Sequence, residues 1–199
     1  MNKKEARIEE ICRAALKSFA TYGYRKTTLG DVATELGMTQ SNLYFYVKDK
    51  KELYERAVSF ALEQWQQHVT GAIENEKDVR KRFLVMCSKA VEYLLEDNEL
   101  RGILVRDPDI FPMVGDDDPY EAINHRSAEM IRAILDQGMT ENAFRPLDLE
   151  KTSQIILMIY KMLVIHTYIR TDEKTVREIF GQILDLMTQG LFTNEGGVR

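Results

Sequence analysis

The sequence predicts an all-α protein, and two observations support that prediction. Glycine and proline, the residues that most often interrupt helices, number only 11 and 4 among 199 residues, below their combined share of about 12% in average proteins. All four prolines lie at or after Pro108, so proline breaks no helix in the first half of the chain. Apolar residues also recur at intervals of three and four, which places them on one face of a helix.

Capping residues and glycines set the bounds of the first two predicted helices. Gly23 is expected to end the first helix, since glycine readily takes the left-handed conformation that closes a helix. Thr27 or Thr28 then supplies the hydroxyl acceptor that begins the second helix. Gly37 is expected to end this short second helix in the same way as Gly23 ends the first.

Later helices follow from the same signals. Thr39 is predicted to cap a third short helix that runs through Val47, and Asp49 to cap a long fourth one. A fifth helix is expected over residues 79–94, followed by at most a short turn and then a proline-rich loop over residues 107–119. Three further helices and a polar tail over residues 193–199 complete the predicted architecture.

Charge is unevenly divided along the chain. The whole sequence has a net charge of −5, which taken alone argues against nucleic acid as a partner. Residues 1–50, however, carry a net charge of +3, whereas residues 51–199 carry −8. We therefore expect a basic front segment that faces an anion, followed by an acidic body.

Several classes of protein find no support in the sequence. Cys12 and Cys87 are too few for a disulfide framework and lie in apolar helical patterns, as reduced cytoplasmic thiols do. The longest apolar run, residues 155–165, is shorter than the roughly 20 residues of a membrane span, and the first residues lack the apolar stretch of a secretory leader. Common phosphate-loop, nucleophile-elbow and zinc-protease motifs are missing. We therefore predict a cytoplasmic protein that is not an enzyme and uses no metal or cofactor.

Residues 29–47 have the dimensions of a helix-turn-helix, with a glycine in the turn. Leu43 and Val47 are spaced to point inward from the second helix. The residues left on its outer face carry amides and hydroxyls suited to base edges and phosphates: Gln40, Ser41, Asn42 and Tyr44. Lys48 and Lys50 follow beside the amino terminus of the fourth helix, where the helix dipole also favours a phosphate. This pattern predicts major-groove binding to DNA, with a plain three-helix corner as the alternative.

The segment from Thr27 to Leu53 resembles the signature of the tetracycline-repressor (TetR) family. That signature reads loosely T-x-x-x-I-A-x-x-x-G-V-S-x-x-x-L-Y-x-[HY]-F-x-[ND]-K-x-x-L, and here the segment reads TTLGDVATELGMTQSNLYFYVKDKKEL. The resemblance covers about residues 6–60; beyond them only the helical architecture and the length agree. It implies a three-helix DNA-binding domain over residues 1–50, joined by a long helix to a helical regulatory and dimerisation domain over residues 51–192.

The resemblance also implies roles for individual residues. It assigns Gln40, Ser41 and Asn42 to base edges. The residues implied in contacts with the DNA backbone are Thr28, Thr39, Tyr44, Tyr46, Lys48 and Lys50, with Lys26 adding positive charge nearby. Gly30 departs from the family pattern, because relatives often carry a long polar side chain there that can contact DNA.

The function implied by the resemblance is that of a homodimeric repressor. Such a protein binds double-stranded DNA at a palindromic operator and leaves it when a small effector binds. A DNA-binding architectural or partner-recruiting protein without an effector is the alternative, since it would share the same front segment.

The last two helices are predicted to form the homodimer interface. Residues 155–168 are apolar on nearly every side, so this helix must be buried on two sides. A second subunit is the simplest cover, and a central place in a monomeric bundle is the alternative. The predicted interface residues are Ile155, Ile159, Leu163, Ile179, Phe180, Ile183 and Met187.

Methionine and aromatic residues of the second half predict an adaptable apolar cavity for a lipophilic or planar effector. Its predicted lining residues are Met86, Tyr93, Phe111, Met113, Met130, Met158, Tyr160, Met162 and His166. The same side chains would equally fill an ordinary core. Glu121, His125 and Glu129 have the spacing of metal ligands, but a salt-bridged surface explains them better.

Overall fold

The computed structural model describes residues 3–107, 118–170 and 173–193, and for residues 164–170 and 173 it describes the backbone alone. Nine helices form within these ranges, which confirms the all-α prediction. In chain order they are α1 (Lys3–Lys26), α2 (Leu29–Glu35), α3 (Gln40–Leu43), α4 (Lys50–Ile73), α5 (Val79–Glu96), α6 (Asn98–Arg106), α7 (Glu121–Thr140), α8 (Leu149–Arg170) and α9 (Glu173–Leu191). In the part of the chain so described, no helix is long and apolar enough to cross a membrane.

The chain divides into two compact units. The first consists of residues 1–65 and 94–120, and the second of residues 66–93 and 121–199. The compact units are defined by packing and do not coincide with the functional domains expected on either side of residue 50. That division into a DNA-binding and a regulatory domain stays a prediction. Most of the loop expected over residues 107–119, and the tail from residue 194 onward, lie outside the described ranges.

Helix α1 bends at Gly23, which has φ 80° and ψ 162°. Residues that have a β-carbon rarely adopt this positive φ, whereas glycine adopts it readily, so glycine suits the position. The sequence therefore located the interruption correctly, but the chain returns to helical geometry after the bend and α1 ends only at Lys26.

Helix α6 was not predicted from the sequence, and it packs on α1 in the first unit. Asp97 caps it by accepting the backbone N–H groups of Glu99 and Leu100 at 3.0 and 2.9 Å. A β-carbon at Gly102 would lie 3.2 Å from the β-carbon of Ala20, so glycine permits the close approach of the two helices.

Three aromatic rings of the first unit pack against one another. The rings of Phe19, Tyr24 and Tyr54 form a cluster, with centroids 4.9 Å apart for Phe19 and Tyr54 and 5.0 Å apart for Tyr24 and Tyr54. The Tyr54 hydroxyl donates to Asp107 at 2.9 Å. Burial and the neighbouring carboxylate raise the pKa of Tyr54, so this phenol stays protonated and remains a donor.

The two cysteines are buried and free of disulfides, as predicted. Burial raises the pKa of Cys12 to about 11 and that of Cys87 to about 12. Both side chains therefore remain neutral thiols at physiological pH.

Three phenylalanines close the core of the second unit where its last helix ends. Phe144 stacks on Phe192 with the ring centroids 5.1 Å apart, and Phe83 meets both rings edge-on. Arg80 donates to the backbone oxygen and the hydroxyl of Thr193 at 2.7 and 2.8 Å. These contacts hold the end of α9 against the core.

Gly138 of α7 lies against the ring of Phe144, and this contact yields a stability prediction. A β-carbon at position 138 would lie 2.1 Å from a ring carbon of Phe144, far inside van der Waals contact. We expect Gly138→Ala to lower the free energy of unfolding by about 1–3 kcal/mol, because the buried ring must shift. Urea unfolding followed by circular dichroism measures the change.

Gly71→Ala is the matched control, because a β-carbon at this helical glycine of α4 would meet nothing within 4 Å. Alanine is favoured over glycine inside a helix by up to about 1 kcal/mol, so this variant should be slightly more stable than the original chain. Equal stability of the two variants would show that the Phe144 contact does not constrain position 138.

Candidate nucleic-acid interface

Thr28, rather than Thr27, begins α2. The Thr28 hydroxyl accepts the backbone N–H of Asp31 at 3.2 Å, and the Asp31 carboxylate accepts the Thr28 N–H at 2.8 Å and its hydroxyl at 2.7 Å. These bonds to Thr28 lower the pKa of Asp31. Thr27 is buried instead, and its hydroxyl donates to the Gly23 carbonyl at 2.9 Å. The Thr28 proton is thus engaged by a carboxylate, and a contact with a DNA phosphate would require it to change partner.

The turn between α2 and α3 has a defined geometry that Gly37 makes possible. Gly37 has φ 63°, and its N–H donates to the Thr34 carbonyl at 3.0 Å, while the Met38 N–H donates to the Ala33 carbonyl at 2.9 Å. This pair of bonds is the Schellman arrangement that ends a helix at a left-handed glycine. The prediction that Gly37 closes the second helix is therefore confirmed.

Thr39 caps α3 as predicted, but the helix is shorter than expected. The Thr39 hydroxyl accepts the Asn42 N–H at 3.2 Å, and α3 contains four residues instead of continuing through Val47. After Leu43 the chain forms tighter turns, in which the Tyr46 N–H donates to the Leu43 carbonyl at 2.9 Å. The chain must leave the helical conformation here because Asp49 caps α4 only a few residues later.

Burial separates an inner from an outer side of this short segment. Leu43 and Val47 are buried, as their spacing predicted. The outer side carries the exposed side chains expected to face DNA, namely Gln40, Ser41, Asn42 and Tyr44, while Tyr46 is half-buried.

Phe45 is a residue of this surface that the sequence reasoning missed. Phe45 is 81% exposed, the largest exposed fraction among the large hydrophobic residues that the structure describes. The signal was available, since Phe45 stands between two tyrosines and off the inward spacing set by Leu43 and Val47. An exposed phenyl ring beside the polar outer face can contact a thymine methyl group or a sugar.

Four of the basic residues that flank the helix-turn-helix differ in what they are able to contact. Arg25, Lys26 and Lys48 are exposed. The Lys50 ammonium, in contrast, donates to the carbonyls of Tyr24 and Arg25 at 3.0 and 3.4 Å and lies 4.6 Å from the centre of the Tyr24 ring. Lys50 therefore supplies hydrogen bonds to carbonyls of the last turn of α1. A contact with a DNA phosphate would require its ammonium to leave these carbonyls.

The side chain of Gln40 lies between α2 and the end of α3. Its amide nitrogen donates to the Tyr44 hydroxyl at 3.4 Å. Its amide oxygen lies beside Gly30, where a β-carbon would be 3.5 Å away. The amide thus has a neighbour on each edge while remaining on the outer surface.

Comparison with known proteins shows which protein family has this helix-turn-helix. Residues 11–57 match the model of the bacterial regulatory proteins of the tetR family. The chain belongs to the TetR family. It is accordingly a DNA-binding transcriptional regulator and not an enzyme.

Relatives of this TetR-family chain are distant in sequence and similar in fold. The chain is 24% identical over 157 residues to the uncharacterized HTH-type transcriptional regulator YhgD of Bacillus subtilis (strain 168), covering 77% of this chain and 80% of the relative. It is 21% identical over 178 residues to the nucleoid occlusion factor SlmA of Marinobacter nauticus, covering 86% and 88%. The crystal structure of a TetR-family transcriptional regulator from Pectobacterium atrosepticum superposes with a TM-score of 0.80 at 18% identity, covering 96% of this chain and 97% of that one.

The side chains predicted to line an effector cavity of the TetR-family chain occupy different environments. Met86 is buried, and Tyr93, Met130 and Tyr160 are half-buried. The Tyr160 hydroxyl donates to the backbone oxygen of Cys87. Phe111, Met113 and the side chain of His166 lie outside the described part of the structure.

Two of the predicted cavity residues lie elsewhere. Met158 and Met162 are 52% and 39% exposed, because they occupy the same outer face of α8 as Ile155, three and seven residues along. These two methionines therefore do not line a cavity buried within the single chain, and their part in an effector site stays a prediction.

An exposed apolar face runs along α8 and α9. Ile155 and Ile179, two of the predicted interface residues, are exposed in the single chain, and Ile159, Phe180, Ile183 and Met187 are half-buried. Leu163 is an exception, since it is 6% exposed and packs inside its own chain. Leu186 was missed, although it is 69% exposed and lies three residues after Ile183 and seven after Ile179.

The spacing of Glu121, His125 and Glu129 on α7, which resembles that of metal ligands, belongs to a helix surface that carries an ion pair. Glu129 forms an ion pair with Arg132 at 3.3 Å. Across the described ranges, no group of three or more His, Cys, Asp or Glu side chains is placed to hold a metal ion.

Proposed function

We propose that this TetR-family chain is a homodimeric repressor that acts in the cytoplasm. In this proposal it binds a palindromic operator through α3 and leaves the DNA when a small effector binds. The observation that carries the proposal is the outer side of α3 and of the turns that follow it, where amides, hydroxyls and aromatic rings are exposed above the buried Leu43 and Val47.

The chemistry of this face suits a DNA major groove. The Gln40 amide has the donor and acceptor pair that recognises adenine, and Ser41 and Asn42 supply further polar groups for base edges. Tyr44 and Tyr46 offer hydroxyls for phosphates, beside the exposed Phe45 ring. The exposed ammonium groups of Lys26 and Lys48 would also contact phosphates.

The apolar face of α8 and α9 supports dimerisation. Ile155, Met158, Met162, Ile179 and Leu186 are all exposed there in the single chain. A second copy of the chain would cover this face with the same face, as a two-fold axis requires. Two recognition helices related in this way read half-sites about 34–36 Å apart or a multiple of that distance.

The effector would bind within the second unit, where four side chains of the predicted cavity are buried or half-buried: Met86, Tyr93, Met130 and Tyr160. Methionine side chains adapt to irregular apolar ligands, and the tyrosine hydroxyls would orient such a ligand. A lipophilic or planar compound is the class that this chemistry favours.

A second candidate function is a DNA-bound protein that recruits a partner without an effector. It is favoured by one observation, the similarity over 86% of the chain to a protein named as a nucleoid occlusion factor. Both candidates require DNA binding through α3, and they differ in what the second unit binds.

Substitutions on the outer face of α3 test DNA binding. Tyr44→Ala should weaken binding to all sequences, because it removes a phosphate contact that carries no base information. Gln40→Ala should instead lower discrimination by about 1–3 kcal/mol at one or two base pairs per half-site. Electrophoretic-shift titrations on duplexes selected from a randomised library by the original chain measure both effects.

Gln67→Ala is the control for these titrations, because Gln67 is an exposed glutamine of α4 in the second unit and should leave binding unchanged. Tyr44→Phe separates loss of the hydroxyl from loss of the ring. Unchanged affinity and discrimination in both α3 variants would overturn the assignment of α3 to DNA.

Leu186→Glu tests the dimer face. A carboxylate in the middle of an apolar interface is left desolvated and unpaired, so we expect this variant to sediment as a monomer in analytical ultracentrifugation while keeping its helical circular dichroism. Val105→Glu is the matched control, since Val105 is an exposed apolar residue of α6 in the first unit. A Leu186→Glu variant that sediments with the original chain as a dimer would place the interface elsewhere.

Thermal-shift screening with lipophilic and planar compounds separates the two candidate functions. At about a hundredfold excess over its Kd, an effector should add about 2.7 kcal/mol of stability and raise Tm by about 5–11 °C. The same compound should release DNA in the electrophoretic assay. A compound that stabilises the chain without releasing DNA, together with a protein captured on the DNA-bound form, would favour the recruiting function.

A further inference from the structure

Gly30 is a glycine that its backbone does not require. It is the second residue of α2, and the described glycines with positive φ are Gly23 and Gly37. Glycine inside a helix is less favourable than alanine by up to about 1 kcal/mol. The structural reason for a glycine must therefore lie in what occupies the space beside it.

The space beside Gly30 is taken by the side chain of Gln40. A β-carbon at position 30 would lie 3.5 Å from the Gln40 amide oxygen and 3.6 Å from the Thr28 hydroxyl oxygen, both ordinary van der Waals contacts. A longer side chain that extends toward α3 would compete with the amide for the same space. The small size of residue 30 is what lets the Gln40 amide lie against α2.

The opposite edge of the same amide is also in contact. The Gln40 nitrogen donates to the Tyr44 hydroxyl at 3.4 Å, so the amide lies between Gly30 and Tyr44 on the exposed side of α3. An exposed glutamine otherwise samples many rotamers, and ordering it on binding costs conformational entropy. The position beside Gly30 orients the donor and acceptor of Gln40 before DNA arrives.

We propose that Gly30 is a specificity-determining residue, which acts by leaving the space that orients the Gln40 amide for reading a base. The inference rests on the proposed function, because it concerns how α3 reads the operator. Gly30 need not touch DNA in this arrangement, and its effect passes entirely through Gln40.

Gly30→Met is the variant that tests this inference. Methionine is a good helix former, so α2 should remain folded, and its thioether offers no strong hydrogen bond to a base. We expect discrimination at the base pair read by Gln40 to fall by about tenfold. That base pair is the one at which Gln40→Ala loses preference when each protein selects from a randomised duplex library.

A double-mutant cycle shows whether the effect passes through Gln40. In the Gln40→Ala background, Gly30→Met should leave the preference at that base pair unchanged. An equal change in both backgrounds would mean that residue 30 acts directly on DNA and would overturn the inference. So would a Gly30→Met variant that keeps the original preference.

Two alanine variants act as controls. Gly30→Ala should keep the original preference, because its β-carbon makes only ordinary contacts, and Gly71→Ala should do so because its surroundings are open. Loss of preference in Gly71→Ala would show that helix stability, not the space beside Gln40, governs selection, and would overturn the inference. If the original chain selects no sequence, the proposed function fails as well; if Gln40→Ala loses a preference that Gly30→Met keeps, only this inference fails.

Discussion

A helix of four residues does not hold its own shape in water, and everything that α3 offers to DNA depends on how it is anchored. Isolated helices shorter than about 12 residues are marginal, whereas α3 spans only Gln40–Leu43. The turn at Gly37 and the cap at Thr39 fix its start, and burial of Leu43 and Val47 fixes its inner side. Burying side chains of this size contributes about 1.5–3 kcal/mol each. The outer residues carry none of this anchoring, so they are available for recognition.

Local signals in the sequence predicted the parts of this site that local bonds define. Thr39 and Gly37 were found because a cap and a left-handed glycine depend only on neighbouring residues. The contact of Lys50 with α1 was not predicted, because the carbonyls that it contacts belong to the end of α1, about 25 residues earlier. Helix α6 was missed for a similar reason, since its close packing on Ala20 is a tertiary contact.

The sequence was less informative where a helix is apolar on nearly every side. In α8 no polar stripe marks which apolar side chains face the core and which face outward. Burial in the folded chain separates them, because Leu163 is enclosed while Met158 and Ile155 are exposed. On α9, which has a clear polar face, the spacing of Ile179 and Ile183 extends directly to Leu186 and would have identified it.

The buried thiols have a practical consequence for spectroscopy. Cys12 and Cys87 are the two cysteines of the sequence, and burial holds both of them as neutral thiols. Thiolates are the nucleophiles that attack maleimide and spin-label reagents, so both of these thiols should react slowly while the protein is folded. A single cysteine introduced on the surface could then carry a fluorophore or spin label without removing either native residue. The natural core thus leaves the chain ready for distance measurements between labelled copies.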